Sequence, residues 1–426
     1  MDLVAKLFTI TSAQEGNQNL QQLTLNGERG RGPWVCQDCL ADSILRQLFA
    51  DPMEAHQCDV CGSEKTNVLT VERIASFIRK GLEDHFELDE GLYPGYELSL
   101  QAVVQQAIGC ESGSICRAIA DQLEDADADE DDFYFPGQTY FLAASPFDDE
   151  AHERWYVTGE WHQLAMELGH DRRFFNERAR QFFESLINEA LEARDEQRQD
   201  APAVVTALPA GTSFYRARRA GGPTEAKKFA ANPIEEMGAP PKERAANNRM
   251  SASGVPLLYV SAGADTAIAE IRPAIGDTVA VGRFVSTAPL QFFDFTALSR
   301  RLQHTRLSFF DPRHLEREQH RKLLQYLHDE IARPVGATDV EYVMTQALAE
   351  LIRYDKPGAF DGISFRSVQH EGGVNFVLFG KQDHLLRAMR SPEWRPEFDV
   401  AIDSSDVTFR KIEGVAYRHT VAPRTD

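Results

Sequence analysis

Four cysteines near the N-terminus constrain the fold of this chain more than any other feature of its sequence. Cys36 and Cys39 form one C-x2-C pair, and Cys58 and Cys61 form a second pair after an 18-residue spacer. This spacing falls within the range of four-thiolate metal sites, in which each pair bends as a tight knuckle around one tetrahedral ion. Gly62 directly follows the second pair and supplies the backbone freedom that such a turn needs.

A zinc ion fits four cysteine thiolates at this spacing. Four protein ligands leave no open coordination position, so we expect a structural Zn2+ that holds residues 1–66 together as a zinc-binding module. Disulfide bonds or free thiols are the alternatives, and a reducing compartment would keep the thiols unpaired. Cys110 and Cys116 lie in a helical pattern and are predicted to be buried apolar residues, not ligands.

Charge is divided unevenly between the two halves of the chain. Residues 1–204 carry 39 acidic and 16 basic side chains, a net charge of −23, whereas residues 205–426 carry 27 and 29, a net charge of +2. Phosphate backbones would repel the acidic half, which argues against nucleic acid as a partner. No apolar run approaches the roughly 18 residues of a membrane span, and the first residues open no secretory signal, so we expect a cytoplasmic protein without a membrane partner.

Hydrophobic periodicity separates a helical part of the chain from a strand-rich part. Apolar residues recur at helical spacing through residues 67–196, with long helices predicted at Asp149–Leu168 and Arg172–Arg194. The polar segment Arg194–Pro202 is expected to be a linker. Short β-type runs follow. The predicted strands are Val204–Ala207, Ser213–Ala217, Pro256–Ser261, Thr278–Val285, Leu290–Phe295, Gly362–Phe365, Val374–Phe379 and Val407–Ile412.

The predicted fold class is therefore multidomain. A zinc knuckle and an α-helical region make up the N-terminal part, and residues 203–426 form one α+β domain. Helices are predicted within that domain at Asp265–Arg272, Arg313–Ala332 and Asp339–Tyr354.

Charged residues of the C-terminal domain are candidates for a functional site. Arg216 and Arg218 alternate along a predicted strand, so both guanidinium groups should emerge on one face, an arrangement that suits a diphosphate. Arg249 follows a segment rich in glycine and proline, and Glu270 lies at the end of a predicted short helix. Without further evidence, these residues could equally be surface charges or form ion pairs within the domain.

Short motifs of the same domain occur in a fixed order. They are Tyr215-Arg216-Ala217-Arg218, Asn248-Arg249-Met250-Ser251, Gly254-Val255-Pro256-Leu257-Leu258-Tyr259, Ala267-Ile268-Ala269-Glu270, Tyr342-Val343-Met344-Thr345-Gln346, Phe365-Arg366-Ser367 and Asn375-Phe376-Val377-Leu378-Phe379. In order and spacing these motifs resemble the RES family of bacterial toxins, named for an arginine, a glutamate and a serine. Asn248 and Ser251 stand where the family has glycine and asparagine, which puts the shape of the loop around Arg249 in question.

The resemblance implies an ADP-ribosyltransferase-like domain that cleaves the nicotinamide–ribose bond of NAD. Positive charge builds on the ribose as nicotinamide departs, so a carboxylate beside the ribose stabilises the transition state most. Glu270 is the predicted carboxylate. Arg216 and Ser367 complete the predicted catalytic set: Arg216 would grip the diphosphate or orient Glu270, and Ser367 would hydrogen-bond the substrate or Glu270.

The predicted substrate-binding residues are Tyr215, Arg218, Arg249, Tyr259 and Asn375. Arg249 would hold phosphate, and Tyr259 would lie against the nicotinamide ring or hydrogen-bond the ribose. The resemblance leaves the acceptor open: water would make an NAD glycohydrolase, inorganic phosphate an NAD phosphorylase, and a protein side chain an ADP-ribosyltransferase. In each case the chain would be a toxin or a bacterial defence effector.

The N-terminal half, with its cysteine knuckles and helices, looks like the HEPN/RES-type domain fused to some RES proteins. HEPN ribonucleases carry an arginine and a histidine a few residues apart on a helix, and Arg79 and His85 come nearest to that pattern. Acidic residues separate them, so ordinary helix surface is the preferred interpretation. We expect this half to restrain the toxic domain, in place of or beside an antitoxin, to sense a target protein, or to mediate homo-oligomerisation. A HEPN-type ribonuclease and a non-catalytic nucleotide-binding regulator are the alternatives.

Overall fold

The structure is a computed structural model. It describes residues 32–49, 54–89, 97–143, 150–196, 198–332, 342–354, 359–381 and 394–416.

Two compact units divide the chain. The first contains residues 1–148 and 306–318, and the second contains residues 149–305 and 319–426. Both long helices predicted for the second half of the segment 67–196 therefore belong to the second unit. The division of the chain into domains at residues 1–66, 67–196 and 203–426 stays a prediction.

Short strands and helices alternate in the first unit. Strand β1 pairs with β4, β2 pairs with β3, and β7 lies between β5 and β6, all in antiparallel fashion. The elements are β1 (Trp34–Cys36), β2 (His56–Gln57), β3 (Glu64–Lys65), β4 (Val68–Thr70), α1 (Val71–Glu83), β5 (Phe86–Leu88), β6 (Leu98–Ser99), α2 (Leu100–Ile108), α3 (Gly113–Leu123) and β7 (Thr139–Leu142).

Helix α1 shows why this sequence is helical. The Thr70 hydroxyl caps its first turn by accepting a hydrogen bond from the backbone N–H of Arg73. Ile74, Ile78 and Leu82 then recur on one face and are fully buried in the core of the unit, as their spacing predicts. Cys110 and Cys116 are buried in the same core, which confirms their prediction as small apolar residues.

The second unit begins with helices and continues with a large sheet. The elements are α4 (Glu150–Val157), α5 (Gly159–His170), α6 (Glu177–Glu192), β8 (Arg194–Asp195), β9 (Arg198–Pro202), β10 (Val205–Leu208), β11 (Ser213–Arg219), α7 (Pro223–Ala231), α8 (Pro233–Met237), β12 (Leu258–Ser261), α9 (Ala264–Glu270), β13 (Thr278–Ser286), β14 (Leu290–Asp294), β15 (Leu302–Gln303), α10 (His314–Ala332), α11 (Val343–Tyr354), β16 (Gly362–Arg366), β17 (Val374–Leu378), β18 (Val400–Ala401) and β19 (Val407–Lys411).

A mixed sheet is the scaffold of the second unit. Its strand order is β10-β14-β16-β17-β12-β11-β13-β18, and β19 also pairs with β13. Strands β14 and β16 are parallel, and the other described pairs are antiparallel. Every predicted strand matches an observed one to within two residues at each end. The α+β character predicted for the C-terminal domain is confirmed.

The register of the sheet defines two faces. Residues paired directly across neighbouring strands share a face, and alternate residues of one strand lie on opposite faces. The front face carries Tyr215, Tyr259, Ser261 and Asn375. Helix α9 packs against this face beside Tyr215 and Ala217. The back face carries Phe214, Arg216, Leu258, Phe292 and Phe376, whose apolar members form a separate core with Met237.

Two helix predictions and one linker prediction need correction. The helix predicted over Asp149–Leu168 is broken at Thr158, whose hydroxyl donates back to the carbonyl of Arg154. Helix α6 begins later than predicted because Phe175 has a positive φ of 55° and Asn176 caps the first turn.

The predicted linker Arg194–Pro202 instead forms strands β8 and β9, which belong to a sheet with β15. Asp195 is buried there in an ion pair with Arg300. The polar sequence predicts a solvated linker, but the charge of Asp195 is paired with Arg300, more than a hundred residues away in the chain.

Candidate active site

The carboxylate of Glu270 is the centre of a polar network at the end of helix α9. Its Oε1 atom accepts a hydrogen bond from the Ser367 hydroxyl at 2.6 Å and another from the Asn375 side-chain amide at 2.7 Å. The Glu270 side chain is exposed, and both of these hydrogen bonds go to the same oxygen. One oxygen is thus held in place while Oε2 makes no hydrogen bond to the described residues.

Asn375 is oriented by a buried partner behind it. The Ser261 hydroxyl donates to Asn375 Oδ1 at 2.7 Å, which leaves the amide nitrogen to face Glu270. Ser261 and Asn375 are direct neighbours on the front face of the sheet, and both are almost fully buried. A buried hydrogen-bonded pair therefore fixes the direction of the donor that meets the carboxylate.

Ser367 is held by the loop that follows strand β16. Its oxygen accepts hydrogen bonds from the backbone N–H groups of Gln369 at 3.2 Å and His370 at 3.0 Å. The hydroxyl hydrogen is then directed at Glu270. Ser367 is thus a preorganised donor to the carboxylate.

The same loop is clamped to helix α9. His370 Nδ1 lies 2.8 Å from the Thr266 hydroxyl, one helical turn before Glu270. A Cβ atom at Gly373 would lie 2.7 Å from the side chain of Thr266, so only glycine allows this close approach. The serine loop and the helix that carries Glu270 are therefore packed as one structure.

Arg249 lies at the tip of a tight turn. Asn248 and Ser251 exchange backbone hydrogen bonds across it, so the two residues that depart from the expected motif close the turn. The Arg249 guanidinium donates to the carbonyl of Ile331 in the last turn of α10 and lies over the Tyr342 ring, 5.7 Å from its centroid.

Electrostatics connect Arg249 to Glu270. Burial lowers the pKa of Arg249, and the negative charge of Glu270 is among the groups that act in the opposite direction. Arg249 is therefore close enough to Glu270 for their charges to interact. The pair combines a partly desolvated cation with a fixed carboxylate.

Helix α11 anchors the arginine turn. The side-chain amide of Gln346 donates to Asn247 Oδ1 at 2.8 Å, to the Asn248 carbonyl at 2.7 Å and to the Ser251 carbonyl at 3.1 Å. The Thr345 hydroxyl donates to the carbonyl of Arg249 itself. Two adjacent residues of one helix thus hold the turn from both sides.

Tyr259 reaches the same turn from the front face of the sheet. Its hydroxyl oxygen lies 3.1 Å from the backbone nitrogen of Met250, which donates to it, and 3.0 Å from the Ser251 hydroxyl. Burial raises the pKa of Tyr259 to about 12, so the phenol is neutral at physiological pH. Tyr259 therefore links the strand, the arginine turn and the surroundings of Glu270.

Arg216 and Arg218 share one face, as their alternation predicts, but it is the back face. Arg216 donates to the carbonyls of Met237 and Gly238 at the end of α8, and Arg218 donates to the Gly238 carbonyl at 3.3 Å. Burial lowers the pKa of Arg216 to about 9, with repulsion from Arg218 adding to the effect.

Helix α9 packs on the opposite face of strand β11, against Tyr215. The structure therefore does not place Arg216 in hydrogen-bond contact with Glu270. The expectation that Arg216 orients this carboxylate is not met, because strand alternation sends the two side chains to different faces. Its catalytic assignment and that of Arg218 to the substrate stay predictions.

The four N-terminal cysteines form a second candidate site, in the first unit. Their sulfur atoms all lie within 4.8 Å of one another. Cys36 Sγ lies 3.5 Å from Cys39 Sγ and 3.8 Å from Cys61 Sγ. A tetrahedral ion with bonds of about 2.3 Å separates its sulfur ligands by about 3.8 Å. The cluster thus has the dimensions needed to hold a metal ion.

Backbone geometry around the second pair supports a knuckle. Gly62 has a φ of 71°, in the left-handed region that favours glycine, and its N–H donates to the Cys58 carbonyl. The backbone N–H of Cys36 donates to Cys58 Sγ at 3.2 Å. Hydrogen bonds from the backbone and hydroxyl of Ser63 lower the pKa of the Cys61 thiol to about 6, which favours the thiolate that metals bind.

The predicted ribonuclease pair does not form a site of its own. The Arg79 guanidinium donates to the Leu123 carbonyl and lies over the Tyr134 ring. His85 Nε2 lies 3.0 Å from the Phe309 carbonyl. Both side chains are thus occupied in packing the first unit, and His85 lies beyond the end of helix α1.

Comparison with protein families assigns a family to the segment that carries the front-face site. Residues 213–399 match the RES domain family. This segment is a RES domain. It contains Glu270, Ser367 and Asn375, together with the arginine turn and Tyr259. No curated protein and no solved structure matches the chain.

RES domains are generally associated with toxins that act on NAD. The family match therefore supports an enzymatic activity related to NAD and makes NAD the implied substrate. None of the described helices combines the length and the apolar character needed to cross a membrane.

Several residues that build the site were missed by the sequence interpretation. Ser261 orients Asn375, Thr266 and His370 clamp the serine loop, and Gln346 and Thr345 anchor the arginine turn. A signal existed for the last two, because the segment Tyr342–Gln346 resembles a helix of the family. The others depend on contacts between distant segments that no local pattern reports.

Proposed function

We propose that the RES domain cleaves the nicotinamide–ribose bond of NAD and that Glu270 stabilises the charge that develops on the ribose. One observation carries this proposal: Ser367 and Asn375 both donate to a single oxygen of Glu270, which leaves the other oxygen and the exposed side of the carboxylate for a substrate. The preorganised carboxylate needs no reorientation when the transition state forms.

The reaction needs stabilisation of a cation more than it needs a strong base. The bond between C1′ of the ribose and the pyridinium nitrogen breaks, and its electron pair leaves with nicotinamide, which becomes neutral. C1′ and the ring oxygen then share a positive charge in an oxocarbenium-like transition state. Two neutral donors on Glu270 orient its negative charge without cancelling it, so the carboxylate acts most strongly at that stage.

Arg249 and Tyr259 are assigned to substrate binding. The Arg249 guanidinium is a group suited to phosphate oxygens, and burial makes such an interaction stronger than it would be in water. The neutral phenol of Tyr259 offers a flat surface beside the arginine turn for the nicotinamide ring or a hydrogen bond for the ribose. Tyr215, on the front face, is assigned to the same pocket.

Arg216 and Arg218 are also assigned to the diphosphate of NAD, which they could bind only by releasing their present hydrogen-bond partners. Their guanidinium groups cap carbonyls at the end of helix α8, and a diphosphate would compete for these same donors. From the back face both side chains also hold the end of helix α8, through the carbonyls of Met237 and Gly238.

The domain is proposed to have an ADP-ribosyltransferase-like fold, in keeping with its mixed sheet and the position of its carboxylate at a helix end. The acceptor of the ribosyl group distinguishes three activities: NAD glycohydrolase with water, NAD phosphorylase with inorganic phosphate, and protein ADP-ribosyltransferase. The first two consume NAD without a protein target and suit a toxin or bacterial defence effector.

The metal proposed for the four-cysteine cluster is Zn2+. Cysteine thiolates in tetrahedral arrangement favour zinc, and four protein ligands make the site structural. We assign the N-terminal region a regulatory role, as a HEPN/RES-type module that restrains the toxic domain or senses a target. A protein antitoxin and a second copy of the chain are its proposed partners.

The test is a product analysis with purified protein and NAD. Nicotinamide, ADP-ribose and phosphorylated ADP-ribose are separated after incubation in buffer alone, with inorganic phosphate, and with added protein acceptors. We expect nicotinamide release together with one of the three ribosyl products, and none from Glu270→Ala. Binding of NAD without nicotinamide release under all three conditions would instead identify a non-catalytic nucleotide-binding regulator.

A further inference from the structure

A large polar cavity lies in the second unit, apart from the proposed NAD site. Its volume is about 850 Å³, within the range of small-molecule binding pockets. None of the predicted catalytic or substrate-binding residues lines it. The lining residues are Asp195, Arg198, Thr206, Asp294, Thr296, Ser299, Arg300, Arg366, Gly372, Gly373 and Val374.

The cavity lies behind the hairpin that carries Ser367. Thr206 pairs with the back-face residue Phe292, and Val374 shares the face of Phe376. Arg366 is paired with Val374, and Asn375, the next residue along strand β17, points to the opposite face and donates to Glu270. The β16–β17 hairpin therefore separates this cavity from Glu270.

The acceptor groups of the cavity are already used. Asp294 accepts hydrogen bonds from the hydroxyl groups of Thr206, Thr296 and Ser364 and from the backbone N–H of Thr296. Asp195 is paired with Arg300. Little acceptor capacity is left for a ligand that brings its own donors.

In contrast, the cavity has more hydrogen-bond donors than its own acceptors use. Arg366 donates through one terminal nitrogen to the Ser299 hydroxyl at 2.9 Å. Arg198 donates through one terminal nitrogen to the carbonyls of Pro202 and Val205. Neither guanidinium forms an ion pair within the part of the chain that the structure describes. Each keeps several N–H groups of its planar fork for a ligand.

We propose that this cavity binds a small molecule that carries phosphate groups, through Arg198 and Arg366. A ligand with many acceptors and negative charge matches the surplus of donors, and guanidinium groups bind phosphate oxygens with strong charge-assisted hydrogen bonds. The cavity is large enough for a nucleotide. The same chemistry is presented by inorganic pyrophosphate and by ADP, and these two probes separate a bare diphosphate ligand from a nucleotide.

The test is calorimetric titration of pyrophosphate and of ADP into the full chain. It is performed on the Glu270→Gln variant without NAD, so the result does not depend on whether the RES domain cleaves NAD. The comparison variants are Arg198→Gln/Arg366→Gln on the cavity, Arg249→Gln at the proposed NAD site and Arg301→Gln as a matched control. The Arg301 side chain is 88% exposed and does not line the cavity.

We expect one ligand bound in the cavity per chain and at least tenfold weaker binding there in the double cavity variant. The Arg301 variant should bind as the parent does, and Arg249→Gln should change only binding at the proposed NAD site. Tighter binding of ADP than of pyrophosphate would identify a nucleotide ligand, and equal binding a diphosphate. Unchanged affinity in the double variant, or loss of binding only in Arg249→Gln, would overturn the proposal. Thermal unfolding of each variant verifies that the fold is retained.

Discussion

At the scale of single residues, two serines on strand β16 and the loop after it have opposite roles. Ser367 is partly exposed and donates to Glu270, whereas Ser364 is buried on the back face and donates to Asp294 at 2.9 Å. The alternation of side chains along one strand thus separates a site residue from a core residue only three positions apart.

This contrast predicts different outcomes for the same substitution. Ser367→Ala removes one donor to the Glu270 carboxylate and should lower kcat about tenfold, since such a hydrogen bond is worth roughly 1.5 kcal/mol. Its stability should be nearly unchanged. Ser364→Ala should lower the free energy of unfolding by about 1–3 kcal/mol with little change in kcat. Nicotinamide release and chemical denaturation measure the two effects, and equal kcat losses in both variants would refute the assignment.

At the scale of structural elements, the site is assembled from segments that are held together by a few specific contacts. Strand β17 presents Asn375, the serine loop is clamped to α9, and α11 holds the arginine turn. The catalytic geometry therefore depends on residues that do not contact the substrate, because they fix the elements that do.

Gln346 tests the anchoring of the arginine turn. Gln346→Ala removes hydrogen bonds to Asn247, Asn248 and Ser251, so the turn that carries Arg249 should become less ordered. We expect the KM for NAD to rise about tenfold with a smaller change in kcat. Gln181→Ala is the control, because among the described residues this amide donates only to Glu177 on its own helix. An unchanged KM for Gln346→Ala would show that the turn does not need this anchor.

Gly373 tests the clamp on the serine loop. The new Cβ of Gly373→Ala would meet Thr266 at 2.7 Å, so the loop must shift, at a cost of about 1–3 kcal/mol in stability and with loss of activity through Ser367. Gly159→Ala is the matched control, because a Cβ there meets nothing within 4 Å. Denaturation and NAD turnover are measured together. Wild-type values for Gly373→Ala would mean that the contact carries no constraint.

Most of the helices and strands could be predicted from the sequence, but few of the contacts between distant side chains could. The strands around Tyr215, Tyr259 and Asn375 were predicted because alternation and glycine punctuation are local signals. The family motifs identified Glu270 and Ser367 together. The clamp between Thr266 and His370 was not foreseen, because it depends on how two segments a hundred residues apart are packed. The same reason explains why Asp195 was read as part of a linker.

At the scale of the whole molecule, the two units carry different chemistry. The first unit contains the cysteine cluster, and the second contains most of the RES domain, including its carboxylate network, while residues 306–318 of the matched segment belong to the first unit. The strongly acidic charge of the N-terminal half and the balanced charge of the C-terminal half follow the same division in broad outline. The cysteine cluster and the carboxylate network are therefore separate targets for mutation.

Metal removal tests the role proposed for the cysteine cluster. Elemental analysis should find about one zinc ion per chain, and Cys36→Ser should lose the ion and unfold the first unit, because ion binding contributes directly to folding. Cys110→Ala is the comparison, since this buried cysteine is outside the cluster and its loss should leave the zinc content unchanged. Full zinc content in Cys36→Ser would contradict the assignment.

The most direct test of the account is the rate of nicotinamide release by the wild type and by Glu270→Gln at saturating NAD. The substitution keeps the size of the side chain and an oxygen for Ser367 and Asn375, but it removes the negative charge. We predict that kcat falls by about 100-fold or more, as for the loss of a principal electrostatic group at an active site, while thermal stability is unchanged. Equal rates for the two proteins would show that the charge of Glu270 does not drive the reaction.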